Sequence, residues 1–275
     1  MELLTVIIVL ALTGVAVGFA EGLLGVGGCF IMVPVTFFVF KEMGYGDIAL
    51  KLAFGSNLLV VFPTAISGAW AHTKKEAVWW KAGVVLGVCA AIGAIIGATI
   101  TSQLLSEEIL KPAFGLVVGV GALRMLAWKP PKTEEDPKED ILLWACCGFP
   151  IGILCGMLGL GGGIITVPLL AIGLKFRMHH AVGTSLSMMI FTSIAGSIGY
   201  LINGLSVPNL PPYSIGYVNL LAWACLAMAS IPIAQIGART AHELPAKKLQ
   251  YVFIAVMFYV ALKMVGVFEW LRLPI

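Results

Sequence analysis

Apolar residues along this chain neither alternate nor return once per helical turn; they run on in long blocks separated by short polar stretches. Eight blocks reach the roughly 20 residues that a helix needs to cross a hydrocarbon core about 30 Å thick. They cover residues 3–40, 47–71, 78–101, 109–128, 141–174, 181–203, 214–239 and 248–270. An alternating β-barrel pattern is absent, so the crossings are expected to be helical, because a helix satisfies its own backbone hydrogen bonds in lipid. Blocks 3–40 and 141–174 are long for one crossing. Each contains a glycine cluster followed by a proline, which predicts a break that folds the block into a helical hairpin.

Composition agrees with the pattern. The 275 residues are 60% hydrophobic and 11% charged, against about 25% charged in soluble domains. The formal net charge of +3 sits mostly at block ends and reports topology rather than nucleic-acid binding. Six cysteines show no CxxC or Cys/His spacing, and they read as small buried hydrophobes; no metal and no cofactor is expected. The start Met1-Glu2 lacks a basic region, so the first helix is expected to stay attached.

The chain also contains itself twice. Gly22-Leu-Leu-Gly-Val-Gly-Gly-Cys-Phe-Ile-Met-Val-Pro34 is matched by Gly156-Met-Leu-Gly-Leu-Gly-Gly-Gly-Ile-Ile-Thr-Val-Pro168. Further on, Ala53-Phe-Gly-Ser-Asn57 matches Ala181-Val-Gly-Thr-Ser185, Ser67-Gly68-Ala69 matches Ala195-Gly196-Ser197, and Ile96-Gly97-Ala98 matches Ile236-Gly237-Ala238. Four matches in the same order predict tandem homologous halves. The charged, proline-rich run Trp128–Asp140 divides them, which predicts a first transmembrane repeat over 1–128, a linker over 129–140 and a second repeat over 141–275.

Lysine and arginine positions decide between single and double crossing of the two long blocks. With single crossings the 17 basic residues divide 9 to 8 between the two sides. With hairpins they divide 12 to 5, and the majority side holds Lys74, Lys75, Lys81, Arg124, Arg177 and Arg239 together with the linker. The positive-inside rule prefers the hairpins. If each hairpin crosses fully, each half has an odd number of crossings and the halves are inverted relative to one another, with up to ten membrane helices in all; the second legs are short, and a re-entrant hairpin would restore an eight-crossing count. The expected fold is an all-α polytopic membrane protein of two inverted repeats, N-terminus outside and linker in the cytoplasm.

A helix broken inside a membrane presents N–H groups and a positive dipole end at the start of its second piece, and these attract an anion. Two such breaks facing each other near the midplane are a recurring transporter site. Gly27, Gly28 and Cys29 in the first half and Gly161, Gly162 and Gly163 in the second are the candidates for it. Ser56, Asn57, Thr184 and Ser185 supply small neutral hydrogen bonders that avoid burying a fixed charge. The competing reading of both sets is helix packing and interhelical hydrogen bonding. Gly83, Gly87, Gly93, Gly97, Gly115, Gly119 and Gly121 read as packing glycines.

Glu21 is the one acid within the first broken block and a candidate for proton coupling, although the hairpin topology places it near a tip where solvent could reach it. Arg239 follows Gly237-Ala238 at a helix end and could draw substrate to a cytoplasmic mouth, or simply snorkel. His72, His242 and Lys263 are expected at interfaces.

At these residues the sequence resembles the TauE/SafE family of sulfite and organosulfonate exporters. The resemblance rests on the duplicated Gly-x-Gly-Gly segment with its proline, on His179-His180-Ala181-Val182-Gly183-Thr184-Ser185, and on Gly237-Ala238-Arg239. The first half departs from it, with Lys51-Leu52-Ala53-Phe54-Gly55-Ser56-Asn57 lacking the histidines. The resemblance implies a secondary transporter of the cytoplasmic (inner) membrane that exports sulfite, thiosulfate or an organosulfonate. Its partners would be that sulfur oxyanion and the bilayer; the sequence leaves open whether the chain is a monomer or a homo-oligomer. Two other functions compete: an intramembrane enzyme, which needs acid, His or Ser constellations that are not apparent here, and a passive anion channel. No catalytic residue is assigned, and no GxxxxGK[ST] loop offers ATP drive.

Overall fold

The computed structural model describes residues 3–127 and 139–266. The predicted linker, apart from Glu139 and Asp140, lies outside the described residues. Ten α-helices form among them: α1 (Leu3–Leu24), α2 (Cys29–Glu42), α3 (Ala49–Thr73), α4 (Trp80–Leu104), α5 (Glu107–Ala127), α6 (Ile141–Leu158), α7 (Gly163–Pro168), α8 (Met178–Gly204), α9 (Leu220–Glu243) and α10 (Ala246–Val265). A π-helical turn, Leu169–Gly173, prolongs α7. Seven of the helices are long and apolar enough to cross a membrane. Their outward side chains are themselves apolar: Leu12, Leu104, Leu142 and Met228 are each at least 67% exposed, a surface that suits lipid and not water. The chain is an all-α, multi-pass membrane protein.

Small residues set how the helices meet. In lipid there is little hydrophobic drive between helices, so close backbone approach and dispersion hold them together. Gly14, Gly18 and Gly22 of α1 lie against Leu226, Ser230 and Ala234 of α9. Gly148, Gly152 and Gly156 of α6 lie against Leu86, Ala90 and Ala94 of α4. The two glycine stripes are 134 residues apart in register, and both run parallel to their partners. At the centre α3 and α8, the most buried of the long helices, cross antiparallel, with Phe54 edge-on to Tyr200 at 6.2 Å and Gly68 beside Leu186.

Contacts at the helix ends give the remaining directions. α1 and α3 finish on the same side, where His72 Nε2 meets Gly22 O at 2.9 Å. A short loop returns the chain along α4, whose far end receives Lys51 Nζ on Ser102 O. Since α6 runs parallel to α4, it runs opposite to α1. α2 returns toward the start of α1, where Val39, Phe40 and Met43 share a cavity with Leu3, Val6 and Leu10.

One predicted block shifts. Residues 214–219 do not begin a helix; Ser214–Ile215 pairs antiparallel with Val218–Asn219. Pro211 and Pro212 withhold backbone donors just upstream. Asn219 then caps α9, its side-chain oxygen accepting from Ala222 N at 2.9 Å, so the helix starts at Leu220. Asp140 performs the same service for α6, accepting from Leu142 N and Leu143 N.

Candidate functional site

Both long blocks break, and they break alike. Gly25, Gly27 and Gly28 have φ of +67°, +80° and +57°; Gly159, Gly161 and Gly162 have +61°, +68° and +125°. These left-handed conformations cost an L-residue with a side chain free energy that glycine avoids. The breaks are narrower than the glycine clusters suggest, because Gly22 and Gly156 stay helical and serve the packing stripes. After each break a helix restarts with the same geometry: Gly28 O accepts from Ile31 N and Met32 N, and Gly162 O accepts from Ile165 N and Thr166 N. The first-turn amides before those, at Cys29 and Phe30 and at Gly163 and Ile164, are the ones that a helix cannot satisfy within itself.

The two breaks meet. The α-carbon side of Gly163 faces Gly25 O and the backbone of Val26, and that of Gly27 faces Leu160 O at 3.5 Å for an added Cβ. Gly28 lies beside Val17, near the middle of α1, and Gly161 beside Val61, near the middle of α3. The two breaks therefore lie against one another, alongside the middle stretches of α1 and α3. Every residue of both breaks is buried.

α8 holds both loops in place. Ser185 Oγ donates to Gly25 O at 3.0 Å, and Thr192 Oγ1 donates to Gly161 O at 2.6 Å. Tyr200 OH donates to Gly156 O at 2.9 Å. Thr192 and Tyr200 are absent from the residues expected from sequence. Their signal was their position, two and four helical turns beyond Ser185 on α8, where they reach the second broken block.

The other expected residues divide. Asn57 is buried, donates from Nδ2 to Thr36 Oγ1 at 3.0 Å, and keeps Oδ1 without a partner. Ser56 Oγ accepts from Asn219 N at 2.8 Å, so it anchors the turn before α9 rather than facing the breaks. Thr184 Oγ1 accepts from Trp79 N at 3.0 Å, which ties the loop before α4 to α8. Arg239 is exposed, in the second-to-last turn of α9. Sequence pattern alone could not separate Thr184 from Ser185, since adjacent positions on a helix point about 100° apart.

Glu21 is not at a solvated tip. It is fully buried, and neither carboxyl oxygen has a hydrogen-bond partner. The short unwound segment turns back from Leu24 toward Val17 and covers it. Cys29, the first residue of α2, lies within electrostatic reach of both Glu21 and Cys155. Cys155 Sγ, Thr166 Oγ1 and Met189 stand around Gly162, each 3.6 Å from where a Cβ would sit. His72, expected at an interface, lies in the last turn of α3 and is fully buried within the protein. The side chain of Lys263 lies outside what is described. Among the described residues no group of three or more His, Cys, Asp or Glu is arranged to hold a metal ion.

Known proteins are similar to this chain over most of its length. A model of the sulfite exporter TauE/SafE family matches residues 10–264. A probable membrane transporter protein of Methanocaldococcus jannaschii is 28% identical over 93% of this chain and 94% of its own length. One of Haemophilus influenzae is 28% identical over 94% and 98%, and YunE of Bacillus subtilis, also named a probable membrane transporter protein, is 24% identical over 94% and 95%. No solved structure matches. With the family pattern spanning all but the ends of the chain, and with both glycine breaks inside it, this membrane protein belongs to the TauE/SafE sulfite exporter family.

Proposed function

We propose that the chain is a secondary transporter that carries sulfite or a related sulfur oxyanion across the cytoplasmic membrane, with the anion held between the two breaks. The observation that carries this reading is the meeting of Gly163 with Gly25 and Val26, which sets the start of α7 against the break that precedes α2. Backbone amides and dipole ends then offer positive potential without a buried cation. The hydroxyls of Ser185 and Thr192 serve this indirectly: they hold the loop carbonyls, and the loop amides are left to the ligand.

The opposed directions of α1 and α6, and the exchange of partners between α1 with α9 and α6 with α4, support two inverted repeats. Breaks buried from both sides support an occluded conformation of an alternating-access carrier. The same helix directions gather Lys74, Lys75, Lys81, Arg124 and Arg239 toward the side where α5 ends and α6 begins, which supports a cytoplasmic assignment of that side under the positive-inside rule. The N-terminus is then outside. Work on a bound anion requires no chemistry at the site, so the reading is a carrier and not an enzyme.

Counterflow of labelled sulfite, thiosulfate and sulfoacetate into proteoliposomes tests it. Saturable exchange of at least one of them supports the carrier. Non-saturating flux points to a channel, and no flux of any of the three refutes the substrate class.

A further inference from the structure

Glu21 lies in the last turn of α1, and its face of that helix looks onto the first break. Residues four apart on a helix share a face, and Val17, four before Glu21, is the residue that Gly28 lies against. Glu21 therefore stands on the side of α1 that the start of α2 covers. The internal repeat gives the same position independently. At the offset of 134 residues Glu21 is matched by Cys155 and Gly28 by Gly162, and Cys155 Sγ lies 3.6 Å from where a Cβ of Gly162 would sit. Cys29, the first residue of α2, is within electrostatic reach of both Glu21 and Cys155. All three side chains are buried, and neither carboxyl oxygen of Glu21 has a hydrogen-bond partner.

A carboxylate sealed from water without a hydrogen bond is costly, and the neutral acid costs less. The neutral acid carries an O–H, and buried donors in folded proteins have acceptors. No protein group accepts this one, whereas the oxygens of an anion would. Beside it are the first-turn amides of α2, at Cys29 and Phe30, donors that the helix cannot satisfy within itself.

We propose that Glu21 is a binding residue of the anion site: as the neutral acid it donates its hydrogen to an oxygen of the sulfur oxyanion, next to the first-turn amides of α2. The proposal rests on the reading of the breaks as that site and adds a side-chain donor that brings no fixed charge. It also makes the two halves unequal. In the second half the position belongs to Cys155, and a thiol is a weak donor, so the first break grips the anion more firmly than the second.

Glu21→Gln keeps a donor in the same shape, whereas Glu21→Met keeps the volume and removes the donor. Sulfite affinity of the purified protein is expected to stay near that of wild type in Glu21→Gln and to fall about tenfold to a hundredfold in Glu21→Met, the worth of a hydrogen bond to a charged group. Thermal unfolding of the same samples without sulfite is expected to be no lower in Glu21→Met, because a buried carboxyl without a partner contributes no hydrogen bond to the fold. Affinity that survives in Glu21→Met, or falls equally in both variants, overturns the proposal. So does a loss of affinity that comes with a loss of stability, the mark of a structural role. A second measurement reads the group itself: the infrared band of the protonated Glu21 carboxyl, identified by its absence in Glu21→Gln, is expected to shift when sulfite is added to wild type. No such band, a band that bound sulfite leaves unmoved, or one that vanishes on binding overturns the proposal, while the sulfite binding itself still supports the carrier. Wild-type protein that binds no sulfite refutes the reading of the breaks, and the role of Glu21 with it.

Discussion

Gly163→Ala places one methyl group between the two breaks. Gly163 is the first residue of α7 and has no left-handed φ, so alanine brings no backbone strain and gains helix propensity. Its Cβ would nevertheless collide with Gly25 O and Val26 Cα and lie 2.7 Å from Val26 C. Carbon atoms prefer about 3.5 Å or more, so the loops must part by about 1 Å. Neither obstacle is a flexible side-chain end; both are backbone, held through Gly25 O by Ser185. Overpacking of this kind costs about 1–3 kcal/mol of stability. The larger effect falls on the ligand: an anion bound by amides of both loops loses at least one charge-assisted hydrogen bond of about 1.5–3 kcal/mol, a tenfold to hundredfold loss of affinity. Gly152→Ala is the control, since its methyl meets Ala90 backbone in the α4 interface, far from the breaks, and should lower stability while sparing affinity. The assay is sulfite binding to purified, monodisperse protein, with thermal unfolding measured on the same samples. Unchanged affinity in Gly163→Ala would show that the anion does not bridge the two loops, and the argument from convergence would fail.

Ser185→Ala and Thr192→Val each strip a donor from a buried loop carbonyl, so each should lower stability by about 1–3 kcal/mol and weaken sulfite binding, read by thermal unfolding and titration. Thr184→Val should lower stability by about 1 kcal/mol through the loop at Trp79 and leave affinity unchanged; a loss of affinity comparable to that of Ser185→Ala would return Thr184 to the site. In a cysteine-free background, Tyr213→Cys should react with an impermeant thiol reagent in intact cells and Lys74→Cys should resist it. The reverse pattern would invert the orientation.

Much of this architecture follows from local sequence. The apolar blocks specify membrane helices because no other backbone arrangement satisfies itself in lipid. Gly25 to Gly28 and Gly159 to Gly162 specify breaks, because a run of left-handed residues needs glycine. The repeated offset of 134 residues specifies that both breaks share one geometry. Tertiary structure alone decided the rest. Whether a hydroxyl faces the breaks or a distant loop depends on helix rotation, which placed Ser185 on Gly25 O and its neighbour Thr184 on Trp79 N. Gly22 and Gly156 look like parts of the breaks, yet they pack helices, because α9 and α4 approach them more closely than any side chain allows. Local pattern does not tell whether Glu21 and His72 meet solvent. They are buried because the unwound segment folds back over α1 and because the ends of α1, α3 and α9 converge, and contacts between residues 50 and 170 positions apart leave no mark on local pattern.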